Sequence, residues 1–117
     1  MPQTHDTVPA SPLSAPDNLD VIGERIDGGV DMLVVTASPI DDSDEVCRLL
    51  EEKLSTYLYA ATHENFSNAY PAALQGRTRI FVSDRYPVSD RARRLVEGFA
   101  VQAISRNVEV TIGFPVA

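Results

Sequence analysis

Apolar positions along the chain fall into segments with two different periods. Leu19–Ile26 and Val30–Ala37 are rich in apolar and β-branched residues and flank Asp27-Gly28-Gly29, a turn tolerant of positive φ. This pattern predicts a β-hairpin. In the second segment Val30, Met32 and Val34 alternate with Asp31, Leu33 and Val35, and both sides turn apolar toward its end, as in a central strand. From about Ser43 to Glu64 the period lengthens. Val46, Leu50, Leu54, Tyr57 and Ala61 share one arc at helical spacing, with Leu49 and Ala60 on one flank and Cys47 and Leu58 on the other. Asp42 and Glu45 have the spacing of a capping box, and the neighbouring acids suit the positive end of a helix dipole. Asn65 is a left-handed stop and Pro71 prevents resumption.

Gly76 opens a third strand over Arg77–Tyr86, with Ile80, Val82 and Tyr86 on one face and Arg79, Phe81, Ser83 and Arg85 on the other. Pro87 ends it. Ser89 caps a second helix to about Arg106 whose inner face is Ala92, Leu95, Val96, Phe99 and Ala103. Asn107 stops that helix, and a last strand places Val108, Val110, Ile112 and Phe114 inward. The order is ββαβαβ. The link from the third strand through the second helix to the fourth is long enough for a right-handed parallel crossover. Two amphipathic helices cover one face of four strands, which gives an α+β fold: a two-layer α/β sandwich with a mixed sheet and an open sheet face.

Length and charge refine this picture. The 117 residues allow one domain, and 44% hydrophobic residues suffice for one core. Residues 1–17 hold four prolines among Ser, Thr, Ala and Gln, which predicts a disordered tail before a single domain over residues 18–117. The tail has neither the basic nor the apolar region of a secretory signal, so the expected address is cytoplasmic. No apolar run is long enough for a membrane span. The net charge is −7, unevenly placed: residues 1–65 carry 13 acids and 3 bases, residues 66–117 carry 4 acids and 7 bases.

Several segments carry a resemblance: Leu19-Asp20-Val21-Ile22, the helical stretch Leu49–Leu58, Tyr70-Pro71, the strand Ile80-Phe81-Val82 and Pro87. With these the chain resembles a family of small bacterial proteins of unknown function, over most of residues 19–114. It lacks the aromatic residue common in that family near the start of the first helix, around Asp41–Glu45. The resemblance implies the ββαβαβ fold and a bacterial, cytosolic setting, and it transfers no catalytic residue.

The most concentrated charge is Asp41, Asp42, Asp44 and Glu45. These residues suit a helix start, a patch for a basic partner, or a hard cation, although the spaced ligands and turn glycine of a calcium loop are missing. On the outer face of the first helix, helical spacing aligns Glu45, Arg48, Glu52, Ser55, Tyr59 and His63. There an exposed tyrosine serves as an interface anchor or sits on an ordinary solvated face. Cys47 has acids around it and reads as a semi-buried structural residue. Arg79, Phe81 and Arg85 on the open sheet face have the residue types of a single-strand RNA platform. One aromatic and a net charge of −7 oppose that use, and cross-strand pairs with Asp31 or Glu109 account for the arginines.

No phosphate loop, nucleophile elbow or zinc-protease motif occurs in the chain. The expected function is a non-enzymatic protein-binding module of immunity or adaptor type. It would dock a basic partner through Asp41, Asp42, Asp44, Glu45, Glu52, Tyr59 and His63, with no cofactor, metal, nucleic acid or membrane involved. The alternatives are a homodimer through the open sheet face, where Leu33, Val35 and Phe81 would form an apolar patch, and a small ligand-binding domain or enzyme around Tyr59 and His63.

Overall fold

The computed structural model describes Leu13 and residues 19–25, 29–63 and 78–115. Its elements are β1 (Val21–Glu24), β2 (Val30–Val34), α1 (Asp44–Thr62), β3 (Thr78–Val82), α2 (Asp90–Ile104) and β4 (Val108–Ile112). This is the ββαβαβ order, folded as an α+β domain with a four-stranded mixed sheet. The strands lie side by side in chain order. β1 pairs antiparallel with β2, from Val21 opposite Leu33 to Glu24 opposite Val30. β2 and β3 are parallel, as are β3 and β4, so each helix is the crossover of a βαβ unit.

Alternation along the strands decides which side of the sheet the helices cover. Val30, Met32 and Val34 of β2, Ile80 and Val82 of β3, and Val108 and Val110 of β4 are buried in one cluster. Val46, Cys47, Leu50, Leu54, Tyr57 and Leu58 of α1 join them, as do Ala92, Val96 and Ala103 of α2. Both helices therefore pack on one face, and intervening strand residues point to the other. Leu13, within the segment read as a tail, is also buried in this cluster and bridges to Thr36.

Several boundaries differ from expectation for local reasons. Ser43, not Asp42, caps α1: its hydroxyl accepts the Val46 N–H at 3.2 Å, which leaves Glu45 at the second helical position, outside capping-box reach. β3 ends at Val82, and Arg85 N–H turns back onto the Ser83 hydroxyl at 3.3 Å, so Tyr86 does not extend the strand. The last strand stops at Ile112. Gly113 follows with φ 140, and Phe114 emerges 46% exposed rather than inward. Asn107 adopts φ 65, as its place after α2 predicts. The expected turn at Asp27-Gly28, the stop at Asn65, Pro71 and the opening at Gly76 lie outside the described residues.

Candidate functional site

The acidic segment expected to bind a partner lies where the two helix starts meet. Ile40 N–H donates to Pro87 O at 3.0 Å and Ser89 N–H to Ile40 O at 2.9 Å. These bonds place the loops before α1 and α2 side by side. The Ser89 hydroxyl accepts the Ala92 N–H as the cap of α2 and donates to Asp41 O at 3.0 Å. Asp41 accepts the Ser43 N–H at 2.9 Å, and its hydrogen bonds with Ser43 hold its carboxyl below the usual range. Arg91 donates to Asp42 O at 2.8 Å and pairs with Asp44 at 2.6 Å. Part of the negative charge is thus met by an arginine of α2. Beside it runs an open groove of about 410 Å³ between the helices, lined by Asp44, Cys47, Arg48, Glu51, Arg91 and Arg94 together with Leu95. Cys47 is buried there, more completely than the semi-buried position expected of it.

The remaining expected residues lie along α1. Glu45 and Glu52 are exposed, and Glu52 pairs with Arg48 at 3.1 Å across one helical turn. Tyr59 is 66% exposed, and its ring stands 5.1 Å from that of His63, tilted by 42°. His63 is the C-cap, its N–H donating to Ala60 O at 3.3 Å. Fifteen residues of helix separate Asp44 from Tyr59, roughly 22 Å at the helical rise. The structure therefore groups Asp41, Asp42, Asp44 and Glu45 at one end of α1 and Tyr59 with His63 at the other, with Glu52 between. They form a strip along one helix rather than a convergent pocket.

On the open sheet face the strand register produces two rows. Val21, Leu33, Phe81 and Thr111 stand side by side, and next to them Gly23, Asp31, Arg79 and Glu109. Arg79 grips Asp31 with two hydrogen bonds of 2.7 and 2.8 Å, and Arg25 binds the same carboxylate. Burial alone would raise the Asp31 carboxyl, but the bonds from Arg79 and Arg25 prevail and hold it below its ordinary value. The Arg79 guanidinium also lies 5.1 Å from the centre of the Phe81 ring. Phe81, expected to be an exposed part of an apolar patch, is only 6% exposed, whereas Val35 is exposed.

One polar cluster went unread in the sequence. Lys53 of α1 is fully buried, and its ammonium donates to Asp20 at 3.2 Å. The other Asp20 oxygen accepts the Val35 N–H at 2.9 Å. The Tyr57 hydroxyl accepts the Asp20 N–H at 2.7 Å and donates to Leu33 O at 2.9 Å. Burial pushes the Tyr57 phenol above its ordinary value, with the bond from Asp20 N–H only partly opposing it, so the hydroxyl stays protonated and remains a donor. The sequence held one signal: Lys53 is the only lysine in the chain and stands one residue before Leu54, beside the apolar arc.

Among the described residues no three His, Cys, Asp or Glu side chains are grouped to hold a metal ion, and no helix is long and apolar enough to cross a membrane. The sequence profile of a family of unknown function, DUF6572, matches residues 12–115. No curated protein and no solved structure matches the chain.

Proposed function

The chain belongs to the family of unknown function DUF6572, and from that premise we propose that it is a non-enzymatic protein-binding module that docks a basic partner along the outer face of α1. The observation that carries this reading is Tyr59. Its ring is 66% exposed, is braced by His63 at 5.1 Å, and stands on the helix that also displays Glu45, Glu51 and Glu52. A rigid amphipathic ring offers contact area at low entropic cost, and carboxylates further along the same helix favour a basic surface and speed encounter. Asp41 and Asp42 extend the negative field past the helix start. Asp44, paired with Arg91, contributes less to it. An immunity or adaptor role is the form of this reading in which the partner is a basic protein held inactive or in place.

The experiment is affinity capture from the native host with wild-type protein and with Tyr59→Ala and Glu45→Lys variants. Each retained protein is then identified, purified and titrated against all three. The reading expects a basic protein that binds wild type, is released by salt, and loses at least about tenfold in affinity with Tyr59→Ala, the scale of an interface anchor. A purified partner that binds the variants and wild type alike would refute it.

A further inference from the structure

β1 lies at one edge of the sheet and adds little to what holds the sheet together. Val30, Met32 and Val34 of β2, Ile80 and Val82 of β3, and Val108 and Val110 of β4 are buried members of the core cluster. No β1 residue is among those buried members. Val21 is 48% exposed, Gly23 brings no side chain, and Glu24 is exposed. Only Ile22, with Leu19 just before the strand, packs partly against the cluster. Loss of apolar surface from water is the main force that keeps a strand in place, and of the four strands β1 has the least of it.

What fastens β1 is polar and is concentrated at Asp20. Its N–H donates to the Tyr57 hydroxyl at 2.7 Å, and its two carboxylate oxygens accept from Lys53 at 3.2 Å and from Val35 N–H at 2.9 Å. A buried ion pair keeps two charges out of water, and that desolvation offsets most of their attraction. Release of β1 returns both charges to water, unlike a substitution that removes one and strands the other. Asp31, opposite Gly23, is not stranded by the release either. Arg25 departs, but Arg79 of β3 keeps its two bonds to Asp31 at 2.7 and 2.8 Å. Tyr57 likewise keeps its bond to Leu33 O. The chain is fixed on either side of β1, by Leu13 before it and Val30 after it, both buried in the core.

We propose that β1 is a detachable edge strand: it bows out as a unit between Leu13 and Val30, uncovering the edge of β2, while β2, β3, β4 and both helices stay folded. This opening does not depend on the partner-binding role of α1. Arg25 N–H donates to Gly29 O, so by the alternation of an antiparallel pair the N–H groups of Val21, Gly23, Asp31 and Leu33 are those shared between β1 and β2. The test is native-state hydrogen exchange by NMR on wild type, Val96→Ala, Lys53→Met and Gly23→Val, under conditions where reclosing outpaces exchange. Relative to their intrinsic rates, these four amides should exchange at least about a hundredfold faster than Ile80 and Val82 of the central strand β3. Val96 is 2% exposed in the core, so Val96→Ala favours global unfolding: it speeds Ile80 and Val82 about tenfold and leaves the four unchanged. Lys53→Met strands Asp20 only while β1 is closed, and speeds the four at least about tenfold. Gly23→Val puts a strand-favouring side chain where a Cβ meets nothing within 4 Å. It steadies the closed strand and slows Val21, Asp31 and Leu33 roughly two- to fivefold, which keeps the idea testable should Lys53→Met not fold. Exchange of the four as slow as in β3, equal acceleration of both groups by Val96→Ala, or rates indifferent to the Lys53 and Gly23 substitutions would overturn the proposal.

Discussion

Replacing Lys53 with methionine keeps the side-chain stem in its packed position and removes only the charge. The ammonium is fully buried and lies 3.2 Å from Asp20, whose side chain is 10% exposed. Removing one partner of a buried pair typically costs about 3–5 kcal/mol, because the other charge is left without compensation. Here Asp20 keeps the Val35 N–H and a little solvent, which places the expected loss near the lower end, about 3 kcal/mol. For a domain of this size that corresponds to a fall in Tm of roughly 10–20 °C. Urea denaturation followed by circular dichroism measures it as a lower midpoint with an unchanged slope. Asp20→Asn added to Lys53→Met removes the carboxylate charge that Lys53 balanced, so the double variant should be more stable than Lys53→Met alone. A Lys53→Met loss under about 1 kcal/mol, or a double variant as unstable as the two single losses added together, would refute the reasoning.

Two further outcomes follow from the same geometry. Tyr57→Phe deletes a hydroxyl that serves both Asp20 N–H and Leu33 O, and should cost about 1–3 kcal/mol by equilibrium denaturation while leaving the far-ultraviolet spectrum unchanged. Asp31 has a carboxyl held below its unfolded value, so its contribution to stability is present above about pH 4 and is lost as pH falls through the lower folded value. Asp31→Asn should therefore lower stability at neutral pH and flatten the acid limb of a stability–pH curve measured by urea titration.

Much of the fold was legible because burial leaves a period in the sequence. The arc Val46, Leu50, Leu54 and Tyr57 is buried as its spacing predicts, and so are Ala92, Val96 and Ala103. Ser89 and Asn107 also do what their types favour, one as a cap and one at positive φ. The errors sit where one local rule competed with another. Asp42 and Ser43 are both good caps, and the backbone chose Ser43. Phe114 continues the alternation of β4, but Gly113 breaks the strand before it. For the candidate surface, the sequence placed Glu45, Glu52, Tyr59 and His63 on one helix face. It was silent on Arg91, whose pairing with Asp44 spans 47 positions.

The chain by itself determined which residues are apolar at which period, and hence the elements, their order and the side of each helix that packs inward. These follow from local geometry and the cost of leaving apolar surface in water. The strand order, the pairing of Lys53 with Asp20 and the meeting of the two helix starts were decided only by tertiary structure. Each joins groups distant along the chain, and whether a charge is paired or a strand left at an edge depends on which neighbour the folded backbone brings beside it.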